Sequence, residues 1–95
     1  MDNIEHWRNQ IDMLDKKLVE LLNERARYAD EIGKIKERMG MEAYSPNREK
    51  EVLENIMKHN SGPMNDMALR RLFERIIDES RKLEREAMSE RKKTK

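Results

Sequence analysis

Two cations of the chain, Arg25 and Lys36, are spaced so that they could bind one anionic ligand. On a helix, the eleven positions between them return to within roughly 20° of the starting direction, with a rise of about 16 Å. Arginine and lysine side chains both donate charge-assisted hydrogen bonds to carboxylates and phosphates. The spacing therefore predicts that both cations face one pocket for a small anion.

A third cation, Arg8, lies seventeen positions before Arg25. On one helix this separation is roughly 25 Å of rise and about 100° of rotation, so Arg8 cannot reach the same small ligand from within its own chain. If two such helices pair antiparallel about a two-fold axis, Arg8 would enter the pocket of the other protomer. The spacing therefore connects the predicted site to a homodimer.

Four more polar residues could complete this site. Arg48 and Glu49 follow one turn after Ser45, a predicted helix cap, where free amides and the helix dipole favour anions. Ser80 and Glu84 are four positions apart and so lie on one face of a later helix. Together these cations, carboxylates and hydroxyls suit a small ligand with several negative charges.

Three helices are predicted to position these residues, because Leu, Met, Glu, Lys and Arg dominate a sequence that is poor in Val and Thr. The first helix is predicted over about 3–39, ending at Gly40. The second is predicted over about 46–59 and the third over about 65–88. We expect residues 89–95 to form a frayed, solvated basic tail.

The first helix carries an apolar seam whose members alternate in steps of three and four, a spacing typical of helix pairing. Its members are Ile4, Trp7, Ile11, Leu14, Leu18, Leu21, Tyr28, Ile32, Ile35 and Met39. Arg25 occupies the seam position between Leu21 and Tyr28, where an apolar side chain is expected. A helix of about 54 Å is longer than a compact chain of this length is wide, so we expect a second chain to cover it.

Composition limits the other classes of function. The 95 residues are 36% hydrophobic and 43% charged, which predicts one domain over 1–95 with a lean core that favours dimerisation. A net charge of +1 argues against nucleic acid and membrane partners. Cysteine is absent, and His6 and His59 lie far apart, so no metal site is predicted. Without a secretory or membrane-spanning run, the expected location is cytoplasmic.

Five short segments follow one another along the chain in a characteristic order. They are Arg8-x-x-Ile11-x-x-Leu14-Asp15, Leu21-Leu22-x-Glu24-Arg25, Ile32-Gly33-x-x-Lys36, Arg48-Glu49-x-x-Val52-Leu53 and Phe73-x-x-Ile76-Ile77-x-x-Ser80. This ordered set resembles the all-helical chorismate mutases over about Ile4 to Ala87. The resemblance implies intertwined homodimers of three-helix protomers. These would convert chorismate to prephenate by an intramolecular Claisen rearrangement in phenylalanine and tyrosine biosynthesis, without a cofactor.

The resemblance also implies a role for each candidate residue. Arg25 and the Arg8 of the other protomer would bind the two substrate carboxylates, with Arg48 and Ser80 assisting. Lys36 would meet the ether oxygen of the substrate. The remaining roles fall to Glu84, which would also meet the ether oxygen, to Glu49, which would accept from the ring hydroxyl, and to the apolar wall of Ile32, Val52 and Ile77.

Two positions depart from a well-studied branch of the resembling family. Ser45 stands where that branch has Asp, so a substrate contact there would change from a carboxylate to a hydroxyl. Glu84 stands where that branch has Gln. Because an ionised carboxylate only accepts hydrogen bonds, Glu84 must be protonated to donate to the ether oxygen. We therefore expect an activity that falls as the pH rises through the pKa of Glu84.

Two other functions fit parts of the pattern. The same scaffold could eliminate pyruvate from isochorismate, although the Arg48-Glu49 pair and the position of Glu84 favour rearrangement. Alternatively, the protein could be a non-enzymatic dimeric helical interaction module in which Arg25 only sets the register.

Overall fold

The computed structural model describes residues 3–93, which form three α-helices joined by two short connections. Helix α1 spans Ile4–Arg38, α2 spans Pro46–His59 and α3 spans Asp66–Lys93. No strand occurs within these described residues. The predicted all-α fold with one long, one short and one medium helix is confirmed.

Local sequence signals account for the helix ends. The Asn3 side chain caps α1 by accepting a hydrogen bond of 3.1 Å from the amide three residues on. Gly40 follows α1 with a φ of 70°, a left-handed conformation that glycine adopts without strain. Pro46 occupies the first turn of α2, where its missing N–H is not needed. Asn65 precedes α3 and accepts a bond of 2.8 Å from the amide three residues later.

Helix α3 continues past the predicted end at residue 88, so the expectation of a frayed tail is wrong for residues 89–93. Arg91 donates from Nε to Glu37 Oε2 of α1 over 2.6 Å, and its guanidinium also lies 3.9 Å from Asp30 Oδ1. These carboxylates hold the basic end of α3 against α1 after the apolar pattern has stopped. Residues 94–95 lie outside the described residues.

Helix α3 is the central element of the fold, since α1 and α2 each pack against it but not against each other. Only the second half of α1 takes part, because every residue from 4 to 24 is exposed. The two outer helices therefore leave a gap between them, with α3 as its floor. That gap places residues from all three helices around one cleft.

The described chain buries very little of its apolar surface. Ile77 is the one hydrophobic side chain among residues 3–93 that is buried, whereas Trp7, Leu14 and Leu21 of the α1 seam are 57% to 65% exposed. The radius of gyration is 17.1 Å, against about 12 Å for a compact domain of this length. Soluble monomers rarely expose such a continuous apolar stripe. None of the described helices combines the length and apolar character needed to cross a membrane.

Helices α1 and α3 approach each other closely at Gly33. A Cβ atom added there would lie 3.3 Å from Glu84 Cγ and 3.8 Å from Glu84 Cδ. Glycine in a helix interior is normally unfavourable relative to alanine. Here it provides the space in which the buried Glu84 side chain lies against α1, so Gly33 helps to set the position of that carboxyl group.

We expect Gly33→Ala and Gly33→Leu to differ sharply in stability. In a helix, Ala is more favourable than Gly by about 1 kcal/mol. This gain offsets the cost of a small displacement of Glu84, so Gly33→Ala should change the free energy of unfolding by less than about 1 kcal/mol. The larger leucine side chain of Gly33→Leu would occupy the volume that Glu84 fills, so this variant should have a free energy of unfolding lower by about 1 to 3 kcal/mol. Urea denaturation at a fixed protein concentration measures both, and equal stability of the two variants would contradict the close approach.

Candidate active site

The gap between α1 and α2 forms a cleft of about 380 Å³ above α3. It brings together ten of the eleven residues that the sequence predicted for the site, from all three helices and the α1–α2 connection. These ten are Arg25, Ile32, Lys36, Ser45, Arg48, Glu49, Val52, Ile77, Ser80 and Glu84.

The eleventh predicted residue, Arg8, does not line the cleft. It lies in the exposed first half of α1, where its guanidinium pairs with Glu5 of the same helix over 2.9 Å. The seventeen positions from one residue to the other correspond to a rise of about 25 Å along the axis of α1, which separates Arg8 from Arg25. Within the single chain, the cleft therefore contains Arg25 without Arg8.

Arg25 projects from α1 into the cleft and is partly buried. Its Nη1 donates to Ser80 Oγ of α3 over 3.0 Å, and no carboxylate of residues 3–93 lies within ion-pair distance. Burial lowers the pKa of the Arg25 guanidinium, and repulsion from Arg48 lowers it further. Both effects oppose the positive charge, so an anion bound beside Arg25 would relieve them.

Lys36 and Glu84 face each other at the inner end of the cleft. The Lys36 ammonium donates to the Ala43 carbonyl over 2.9 Å and lies 4.0 Å from Glu84 Oε2. Burial raises the pKa of the Glu84 carboxyl, the positive charge of Lys36 opposes that rise, and Asp30 adds to it. Glu84 Oε2 is buried without a hydrogen-bond partner among the described residues. Glu84 therefore binds a proton more readily than an exposed glutamate does.

The first turn of α2 forms the outer wall of the cleft. Ser45 is the N-cap residue of α2, as the sequence predicts, and has the extended backbone of that position, although its side chain makes no capping hydrogen bond. Ser45 also lines the cleft. Arg48 lies at the exposed rim, where it pairs with Glu51 one turn further along α2.

Apolar side chains complete the wall between the charged groups. Ile32 of α1, Val52 of α2 and Ile77 of α3 line the cleft from three sides. Tyr28 and Ala29 of α1, which the sequence had not assigned to the site, lie beside them. The cleft therefore offers an apolar surface next to several hydrogen-bond donors, as a small polar ligand with a hydrocarbon ring requires.

Arg81 is a charged residue of the cleft that the sequence-based prediction missed. Its Nη1 donates to Glu49 Oε2 and its Nη2 to Asp78 Oδ1, both over 2.9 Å. Its guanidinium carbon lies 4.7 Å from the centre of the Tyr44 ring. The available signal was its position one turn after Ile77, which places Arg81 on the same face of α3 as that apolar residue.

The cleft combines an uncompensated guanidinium, a lysine and a readily protonated carboxyl group. Such a set can bind an anion at one end and donate hydrogen bonds to a weakly basic oxygen at the other. No cluster of His, Cys, Asp and Glu that could hold a metal ion occurs between residues 3 and 93.

Comparison with known proteins places this cleft in a family context. Residues 7–85 match the family described as chorismate mutase type II. A bifunctional chorismate mutase/prephenate dehydratase from Pseudomonas aeruginosa is 39% identical over 88 residues, covering 87% of this chain and 24% of that protein. The chain thus spans about a quarter of the length of this relative.

Solved structures of similar size extend the likeness to the fold. A chorismate mutase from Thermus thermophilus superposes with a TM-score of 0.86 at 34% identity, covering 88% of this chain and 96% of that one. The chorismate mutase of Helicobacter pylori, solved in complex with prephenate, gives a TM-score of 0.84 at 31% identity, covering 92% and 94% of the two chains. On these grounds the chain belongs to the chorismate mutase type II family.

Proposed function

We propose that the protein catalyses the rearrangement of chorismate to prephenate in the cleft. The observation that carries the proposal is Arg25, a partly buried guanidinium that faces the cleft without a carboxylate partner among residues 3–93. Family membership supports the same substrate, a dicarboxylate. A carboxylate of chorismate bound between Arg25 and Ser80 would supply the missing negative charge.

The chemistry of the reaction suits these groups, because an intramolecular Claisen rearrangement needs neither a nucleophile nor an obligatory proton transfer. Holding the enolpyruvyl side chain over the ring lowers the entropic part of the barrier. A fixed positive charge beside the breaking C–O bond stabilises the negative charge that develops on oxygen. Lys36 fits that role, since its hydrogen bond to the Ala43 carbonyl holds the ammonium in place before substrate arrives.

Glu84 would supply a second donor to the same ether oxygen in its protonated form. Its burial favours the neutral carboxylic acid, and its buried Oε2 has no other partner in the described part of the chain. Protonated Glu84 and charged Lys36 would then both direct hydrogens at one oxygen. The arrangement stabilises the transition state more than the substrate, because the charge on oxygen grows as the bond breaks.

The remaining cleft residues would orient the substrate. Glu49 would accept a hydrogen bond from the ring hydroxyl, and the Ser45 hydroxyl would contact the substrate nearby. Arg48 would exchange its carboxylate partner Glu51 for a substrate carboxylate, as its exposed position at the rim permits. The apolar wall formed by Ile32, Val52 and Ile77 would hold the ring.

We further propose an intertwined homodimer in which each protomer completes the cleft of the other. The exposed stripe on the first half of α1 is the support for this assembly, since no other part of residues 3–93 covers it. Antiparallel pairing of two α1 helices would bring Arg8 of one chain beside Arg25 of the other. The two arginines would then bind the two carboxylates of one substrate molecule. The single domain over residues 1–95 and the cytoplasmic location stay predictions.

The purified protein should convert chorismate to prephenate without additives, and Lys36→Ala should lower kcat by 10²- to 10³-fold. This loss corresponds to about 3 to 4 kcal/mol, the typical effect of removing a donor to a developing oxyanion. The decrease in chorismate absorbance measures both rates. Lys58→Ala, which alters an exposed lysine in the last turn of α2, is the matched control and should retain activity.

Near-normal turnover by Lys36→Ala would remove Lys36 from its assigned role. A parent protein that leaves chorismate unchanged would overturn the proposed function. Release of pyruvate from isochorismate by that same protein would then identify the elimination reaction as the activity of the cleft.

Glu84→Gln should abolish an alkaline decline in activity that the parent protein shows. Only protonated Glu84 can donate to the ether oxygen, so the kcat of the parent falls as the pH rises through the raised pKa of Glu84. The amide introduced by the substitution donates at every pH, so the variant should keep its rate over that range. A pH-rate profile of each protein tests this, and an identical alkaline decline in both would show that another group is responsible.

The same raised pKa predicts how stability depends on pH. The folded protein holds the Glu84 proton more tightly than the unfolded chain, in which the carboxyl pKa is about 4.3. The stabilisation that comes from the Glu84 proton is therefore fully present below the pKa of Glu84 in the unfolded chain. It is lost as the pH rises through the pKa of Glu84 in the folded protein. Glu84→Gln should remove that contribution from the pH dependence measured by urea denaturation.

A mixing experiment tests the exchange of Arg8 between protomers. Arg8→Ala and Arg25→Leu should each be nearly inactive yet still dimerise. Unfolding and refolding them as an equal mixture makes half of the dimers mixed, and each mixed dimer has one cleft with both arginines. Activity should recover to about a quarter of the parent value, since about one cleft in four is intact.

Failure of the mixture to recover would show that Arg8 does not act across the dimer. Sedimentation of each variant supplies the control for assembly. An Arg25→Leu protein that changes oligomeric state while its remaining dimer stays active would indicate that Arg25 sets the register and does not bind the ligand.

A further inference from the structure

Arg81 is a cation of the cleft to which the proposed reaction assigns no contact with the substrate. Its side chain is 25% exposed and donates to carboxylates on two helices, Glu49 of α2 and Asp78 of α3. Arg25, in contrast, donates to a hydroxyl. Since two carboxylates already balance the charge of Arg81, a substrate carboxylate gains less from it than from Arg25.

The contacts of Arg81 connect three segments around the cleft mouth. From α3 its guanidinium reaches Glu49 in the first turn of α2, and it lies against the Tyr44 ring in the connection between α1 and α2. A guanidinium over an aromatic face at this distance forms a cation–π contact. Because α1 and α2 do not pack against each other, such contacts with α3 determine where Glu49 lies.

The geometry at Glu49 shows what this connection does for the site. The Nη1 atom of Arg81 donates a hydrogen bond to one oxygen of Glu49, Oε2. The other terminal nitrogen of the same guanidinium, Nη2, donates to Asp78. No donor from residues 3–93 contacts the second oxygen, Oε1. An oriented carboxylate with one oxygen occupied and one available is a suitable acceptor for a single hydroxyl group.

We propose that Arg81 is a positioning residue that orients the Glu49 carboxylate toward the ring hydroxyl of the substrate. It acts on the reaction through Glu49, without touching the substrate. This role rests on the proposed function, because the ring hydroxyl belongs to chorismate. Tyr44 and Asp78 hold the Arg81 guanidinium, which in turn holds Glu49.

A double-mutant cycle with Arg81→Met and Glu49→Gln tests the proposal. Arg81→Met should lower kcat/KM for chorismate by about tenfold in the parent, within the range of coupling between residues in contact. In the Glu49→Gln background it should lower kcat/KM by less than about twofold, because the group through which it acts is gone. The loss should appear mainly as a higher KM, since a hydroxyl contact binds substrate and transition state alike.

Several results would overturn the role of Arg81. An equal effect of Arg81→Met in both backgrounds would show that it acts independently of Glu49, and an unchanged kcat/KM would show that it does not act on the reaction. A lower kcat at constant KM would indicate fewer folded sites and a purely structural role. Arg75→Met is the matched control, as Arg75 is an exposed arginine of α3 that pairs with Glu79.

A second variant keeps the test decisive if Arg81→Met does not fold. Arg81→Lys retains the charge and should show the same dependence on Glu49 with a smaller loss, and an effect independent of Glu49 would again overturn the proposal. A parent protein without chorismate turnover overturns the proposed function itself. Turnover in the parent with no coupling in the cycle overturns only the role of Arg81.

Discussion

The unbalanced charge of Arg25 is the constraint on which the rest of the site depends. Partly buried charges in proteins are normally paired, because the loss of hydration otherwise disfavours them. Arg25 instead has the Ser80 hydroxyl as its partner and Arg48 as a repelling neighbour. Arg48 and Arg81 in the same cleft both have carboxylate partners. Among these three arginines of the cleft, the fold therefore leaves Arg25 without a carboxylate partner and so available to an anion.

The arrangement of the helices explains how such a position can exist in a small protein. Helices α1 and α2 lie on α3 without packing against each other, so a cleft opens at the point where a compact bundle would be filled. As a consequence, Ile77 is the one buried hydrophobic residue of the described chain. The same long helix carries both the exposed apolar stripe and the cations Arg25 and Lys36. The proposed dimer contact and the proposed ligand site would thus share one element, and a change on α1 would affect both.

The sequence predicts the helices and much of the cleft, because both depend on local spacing. Steps of three and four residues place Arg25 and Lys36 on one face, and cap residues mark the helix ends. The missed features depend on distant partners. Arg91 extends α3 by pairing with Glu37, and Arg81 belongs to the cleft because the fold brings Glu49 to it. No spacing along the chain reveals which opposite charges will meet.

At the inner end of the cleft, binding of the proposed substrate and protonation of Glu84 would support each other. Burial and the charge of Asp30 favour neutral Glu84, whereas the charge of Lys36 favours the ionised form. A bound dianion would add negative charge near Glu84 and partly screen Lys36, and both effects raise the pKa of the carboxyl group. By linkage, protonation of Glu84 must then favour binding of the dianion to the same extent. The glutamate at this position would thus acquire its proton when the substrate that needs it arrives.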